Sequence, residues 1–230
     1  MAQLSEDERT TWDNLRRLQP GLDSPLLSTT MLQLVEKVRG DIHMGVASDA
    51  TGPVLMTPYR KEGSAAKPFA GPLSDVQGAV CSQAVRCESL LRGWGLSSLS
   101  FHSQLIDRHR TFEPGYWACD EAPYIDISNG FEAYREERRL AKSDELKEAL
   151  RKARKIQREL GPLEFEWHCP SKSDFEQLLT WKSEQLKQRG TFDVFNVEWV
   201  KRLLESVTAV DEADCRGMIS CMRVHLMMIR

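Results

Sequence analysis

"IHMGVAS" (residues 42–48) and "PVLMTPYR" (53–60), joined by "DATG" (49–52), decide the fold class. Two β-rich runs across a short Asp/Gly turn predict an antiparallel hairpin. Two helices are expected upstream of it. Residues 5–18 carry Ser5 with Glu8 three positions later, a capping-box pattern, and Pro20-Gly21 stop that helix. A second helix starts near Ser28, puts Met31, Leu34, Val35 and Val38 on one buried face, and ends at Gly40.

Downstream, "KEGSAAKP" (61–68) reads as a loop. Residues 80–92 read as a helix with Val80, Ala84, Cys87 and Leu91 on one side, and "LSSLSFHSQL" (96–105) and "APYIDIS" (122–128) as strands. From 132 to 159 the chain is densely charged, with a narrow apolar stripe of Leu146, Ala149, Leu150, Ala153 and Ile156, which predicts one or two surface helices. Gly161-Pro162 ends them. "LEFEWHC" (163–169) then reads as a strand, 172–189 and 196–209 as helices, and "GMISCMRVHLMMIR" (217–230) as a strand covered on both faces. The class is therefore mixed α/β (α+β).

The order of elements half-repeats. Helix, helix and strand at 5–48 recur at 172–224, and "ERTTWDNLRRL" shares a weak pattern with "EQLLTWKSEQL". The second copy stops where the first continues, so the chain is expected to be shortened at its end. The expected organisation is a first unit at 1–130, a charged helical linker at 131–161, and the beginning of a second unit at 162–230. A final apolar strand with a bare edge predicts self-association through residues 218–229.

Bulk composition excludes several classes. Across 230 residues, 41% are hydrophobic and 28% charged, as in globular proteins, and the net charge of −3 offers no global field for DNA. No apolar run approaches the roughly 18 residues of a membrane span, and the acidic N-terminus lacks the features of a signal peptide. The six scattered cysteines include no C-x-x-C, so reduced thiols and no metal site are expected, in a cytoplasmic protein.

Candidate chemistry lies in two stretches. "GPLSDVQG" (71–78) can be a turn in which Gly71 and Gly78 take positive φ, or a loop presenting Asp75 and Gln77 to a ligand. In "WKSEQLKQRGTFDVF" (181–195), Lys182 and Gln185 fall on the flank shared by Phe175, Leu178, Leu179 and Leu186. Polar groups on an inward face need partners or a cavity, although a lysine can also reach water along its stem. The basic run Arg151, Lys152, Arg154, Lys155, Arg158 reads as a solvated helix face or a polyanion contact. The five histidines are widely spread, with no G-x-S-x-G beside them, and "LLRGWGL" is the closest approach to a glycine phosphate loop.

With "AGPLSDVQG", "LEFEWHCPSKSDFEQLLTWKSEQLKQRGTFDVFNVEWVKRLLE" and "GMISCMRV" in order, residues 5–224 resemble the CelD/BcsL family. These are acetyltransferase-like proteins of bacterial cellulose and exopolysaccharide synthesis, distantly related to the FemAB peptidyl transferases. The resemblance implies tandem GNAT-like units with mixed sheets, the second incomplete. It implies transfer of an acyl group from acetyl-CoA, or another acyl-CoA, to a polysaccharide precursor or other small acceptor. It also implies that Asp75, Gln77, Lys182, Gln185 and Asp193 line the site, with no residue nominated as base. A non-catalytic binding module, and a FemAB-like transferase using aminoacyl-tRNA, remain the alternatives.

Overall fold

The computed structural model describes residues 5–19 and 21–225 and divides the chain into two compact units, residues 1–116 with 170–217 and residues 117–169 with 218–230. The first unit opens with helix α1 (Glu6–Arg17). Ser5 Oγ accepts the Glu8 N–H at 3.2 Å while the Ser5 N–H donates to Glu8 Oε2 at 2.8 Å, the reciprocal cap expected from sequence. A 3-10 turn at Pro25–Leu27 leads into α2 (Thr29–Arg39), capped by Ser28 and ended by Gly40 in the left-handed region, φ 69°.

The hairpin follows as β1 (Ile42–Asp49) and β2 (Gly52–Glu62), antiparallel with a register shift between Ala47 and Ser48. Asp49 Oδ1 closes its turn by accepting the Thr51 N–H at 2.7 Å. The predicted loop at 61–68 is extended by pairing: β3 (Ala65–Pro68) lies antiparallel to β2. The helix expected over 80–92 is shorter. Val80 and Cys81 form β4 against Met56 and Leu55, and α3 spans only Cys87–Gly93. Of the strand expected over 96–105, β5 (Ser98–Leu99) runs parallel to β3, and Gln104 bridges Gln77 in parallel.

Alternation sorts the hairpin between two faces. Met44, Val46 and Met56 join Trp12, Leu27, Leu32 and Val35 under α1 and α2. On the other face Ala47 and Leu55 pack with Leu90 and Phe112, and Tyr59 packs beside Trp94. Gly45 is the close-approach point, since a Cβ there would lie 2.9 Å from the Trp94 ring.

The second unit holds α4 (Phe131–Leu140), α5 (Glu145–Glu159) and a two-stranded antiparallel ribbon of β6 (Leu163–Glu166) and β7 (Cys221–Val224). Neither helix buries a residue, as their charge density predicts. "APYIDIS" forms no strand, and Tyr124, Ile125 and Ile127 are exposed there. β7 is not covered on both faces, because Met222 is 67% exposed. The rest of that expected strand, residues 226–230, lies outside the described residues.

Residues 170–217 return to the first unit as α6 (Lys172–Gln188), a 3-10 turn at Val194–Asn196, and α7 (Glu198–Thr208). The half-repeat is visible here at constant offset. Residue 25 answers to 194 and 29 to 198, so Trp12 answers to Trp181 and Gly21 to Gly190. Helix α7 packs on α2, with Val200 and Leu203 fully buried and the Arg39 guanidinium 4.4 Å from the Trp199 ring centre. Gly217 closes this region against the carbonyl of Val207, where any Cβ would overlap backbone.

Candidate functional site

The loop at 71–78 is held by packing rather than by charge. Gly71 takes φ 53°, and the Trp199 ring lies 3.4 Å from where its Cβ would stand. Gly78 needs no positive φ. A Cβ there would meet Leu27 and Leu22 at ordinary contact distances of 3.4 and 3.5 Å. Ser74 Oγ accepts the Ala70 N–H at 3.0 Å, and Leu73 and Val76 sink into the core beneath α2 and α7. Asp75 is left exposed on the bend.

Gln77 differs from Asp75. Its side chain is 6% exposed, and its backbone is fixed by the Ser103 carbonyl at 3.0 Å and the Leu105 N–H at 2.8 Å. Its Nε2, and that of the bridged Gln104, are sealed from solvent without a hydrogen-bond partner among the described residues. A buried donor without an acceptor costs roughly 1–3 kcal/mol.

On α6 the predicted inward stripe is only half-covered, with Phe175, Leu179 and Leu186 half-buried. The helix buries no residue; Leu178 and Trp181 are exposed, as are Lys182 and Gln185. Trp12, at the equivalent place in α1, is 1% exposed and donates its indole N–H to the Leu27 carbonyl at 2.8 Å, whereas Trp181 is 63% exposed. Asp193 is half-buried and organises the turn after Gly190. It accepts from Ser183 Oγ at 2.5 Å and pairs with Lys187 at 3.6 Å. The Ser183 hydrogen bond, helped by the Lys187 charge, holds its carboxyl below the usual range. The five nominated residues thus form two sets, Asp75 with Gln77 and Lys182 with Gln185 and Asp193. Leu73 and Val76 of the first stretch pack against the α1–α2 core, to which no residue of 181–195 belongs.

Two features of the first unit were not read from the sequence. The first is a buried polar knot. Asp107, 1% exposed, accepts from the His109 N–H at 2.8 Å, the Thr111 N–H at 3.0 Å and Cys81 Sγ at 3.3 Å. Gln19 joins it, donating to the Cys81 carbonyl at 2.8 Å. Burial, reinforced by the Asp107 charge, pushes the Cys81 thiol up to about 12. The signal was the spacing Asp107-x-His109-x-Thr111, an aspartate closing its own turn. The second is a groove of about 1050 Å³ lined by α1, α2 and the hairpin, including Arg9, Glu36, Lys37, His43 and Tyr59. His43 stacks on Tyr59 at 5.6 Å, and burial raises the Tyr59 phenol. None of the five nominated residues lines it.

In the second unit, the basic run of α5 is only partly offset, with two carboxylates set against its five cations. Arg151 and Lys152 reach Glu148, and Lys155 and Arg158 reach Glu159. Exposed pairs of this kind add little to stability, and the face stays net positive. All six cysteines are free thiols, and Cys169 and Cys221 bring their sulfurs within 4.8 Å.

The helical stretch before β6, the ribbon, and the α6–α7 pair together make up the sequence span that carries a recognisable signature. Residues 135–226 match the acetyltransferase (GNAT) domain. No curated protein and no solved structure matches the chain. The matched segment includes Lys182, Gln185 and Asp193, while Asp75 and Gln77 precede it. It supports an acyltransferase-type function, and because GNAT domains bind acyl-CoA, it supports acyl-CoA as donor. The described residues contain no helix long and apolar enough to cross a membrane.

Proposed function

We propose that the protein moves an acyl group from acyl-CoA to a hydroxyl or amine of a polysaccharide precursor, as in cellulose or exopolysaccharide synthesis. The GNAT segment carries this reading. In direct transfer the acceptor attacks the thioester carbonyl, a base takes its proton, and N–H donors hold the developing oxyanion. Asp75, Gln77, Lys182, Gln185 and Asp193 are the residues proposed to bind substrate. The buried, unpaired Nε2 of Gln77 is the local feature that favours a ligand oxygen at this loop. Lys182 and Gln185 carry polar heads in solvent, which suits contact with a hydrated, hydroxyl-rich acceptor.

The test follows release of the CoA thiol from acetyl-CoA with a glucan oligosaccharide as acceptor. Wild-type protein is expected to release thiol faster than acetyl-CoA hydrolyses alone. Lys182→Ala and Gln185→Ala are exposed changes expected to shift stability by less than about 0.5 kcal/mol, so a fall in rate would report lost binding. No acceptor-dependent thiol release from wild type, with either hydroxyl or amine acceptors, overturns the proposal.

A further inference from the structure

Cys169 and Cys221 are far apart in sequence and adjacent in the second unit. Cys169 lies just beyond β6, and Cys221 opens β7 opposite Glu166. The crossing is pinned at successive points. The Cys169 N–H donates to the Ile219 carbonyl at 2.7 Å, Ser220 Oγ donates to the Trp167 carbonyl at 2.7 Å, and the Ile219 N–H reaches His168 Nδ1 at 3.4 Å. The two sulfurs therefore face each other across a hydrogen-bonded ribbon, within 4.8 Å. Cys169 is 3% exposed and Cys221 half-buried, so a small reagent reaches Cys221 first.

We propose that Cys169 and Cys221 are a peroxide-sensitive dithiol that closes to an intramolecular disulfide, fastening the two ends of residues 170–220. The inference is independent of the acyltransferase reading. In the first step the Cys221 sulfur attacks a peroxide oxygen, giving a sulfenic acid and, from hydrogen peroxide, one water. In the second, the Cys169 sulfur attacks the Cys221 sulfur, and the sulfenic oxygen leaves as a second water with the Cys169 proton. The two thiols lose two electrons and the peroxide gains them. Closure draws the sulfurs in to about 2.05 Å, a movement shared by both side-chain torsions.

Burial, reinforced by the neighbouring Cys221 thiol, pushes Cys169 up to about 11. Because the thiolate is the attacking form, this slows Cys169 towards peroxide and leaves Cys221 as the first sulfur oxidised. Cys119 is exposed, which makes it the competing site for oxidation.

The experiment uses the full chain carrying Cys119→Ser, treated with hydrogen peroxide, denatured, blocked with N-ethylmaleimide and digested without reduction. Mass mapping is expected to find the Cys169 and Cys221 peptides joined with loss of two hydrogens and separated by dithiothreitol. Their proximity should make this link form at least ~10-fold faster than any other cysteine pair. In Cys169→Ser, dimedone is expected to label Cys221. If Cys169 and Cys221 both remain maleimide-labelled at doses that oxidise the other thiols, or if Cys169 is found linked elsewhere, the proposal fails. The wild-type map decides the question should the serine variant not fold.

Discussion

Replacing Leu203 by alanine tests whether α7 belongs to the same core as α1 and α2. Leu203 is 0% exposed and shares its cluster with Trp12, Leu27, Leu32 and Val35. The change removes three carbons, about 2.4 kcal/mol at roughly 0.8 kcal/mol per buried carbon. The cavity left among residues held by two helices and a sheet adds to that, for a total of about 3–4 kcal/mol. For a chain of this length such a loss lowers the melting temperature by roughly 6–16 °C. The assay is urea unfolding followed by tryptophan fluorescence, with Leu150→Ala as control. Leu150 is 53% exposed on α5 and should cost under about 0.5 kcal/mol. A Leu203→Ala loss below about 1 kcal/mol, or one equal to the control, would refute the packing of α7 into this core.

Gly45→Ala sets a Cβ 2.9 Å from a Trp94 ring held by its own bond to the Val46 carbonyl at 3.0 Å, so a loss of about 1–3 kcal/mol is expected in the same urea assay. An unchanged midpoint would contradict that contact. Asp214 offers a pH test. Desolvation works to raise its carboxyl, but hydrogen bonds from Thr30 and Thr29 outweigh it, so the folded value lies below the ordinary 3.8. A depressed folded value contributes stability that is present above about pH 4 and lost as pH falls through the folded value. The gap in melting temperature between wild type and Asp214→Asn should therefore narrow from pH 5 towards pH 2, and a widening gap would reverse the sign. Cys81 should resist iodoacetamide at pH 8 while exposed Cys119 reacts, as peptide mass mapping would report. Equal labelling of the two would show the Asp107 knot to be open.

Local chemistry was legible where it acts over a few residues. Ser5 with Glu8, Ser28, Gly40 and the Asp49 turn each fixed an element end because the group that satisfies the backbone lies within four positions. Pairing at a distance was not legible. Val80 and Cys81 carry an apolar spacing compatible with a helix, yet Leu55 and Met56 draw them into the sheet. "APYIDIS" has strand composition without a partner strand among the described residues. Site residues were legible as types and less so as environments. Gln77 was named as a type and is buried among the loop's neighbours, while Lys182 and Gln185, read as flanking an inward stripe, are exposed on a helix with no fully buried residue. Periodicity gives the flank a residue occupies, and only the neighbouring element decides whether that flank is covered. Trp12 and Trp181 make the point, one sealed and one exposed at equivalent positions.

Calorimetric titration of acetyl-CoA into the full chain tests the acyltransferase reading most directly. The account predicts saturable one-site binding with a Kd on the order of micromolar, about −8 kcal/mol, weakened by Gln77→Leu. An absence of heat, together with no rise in melting temperature at millimolar acetyl-CoA, would contradict it.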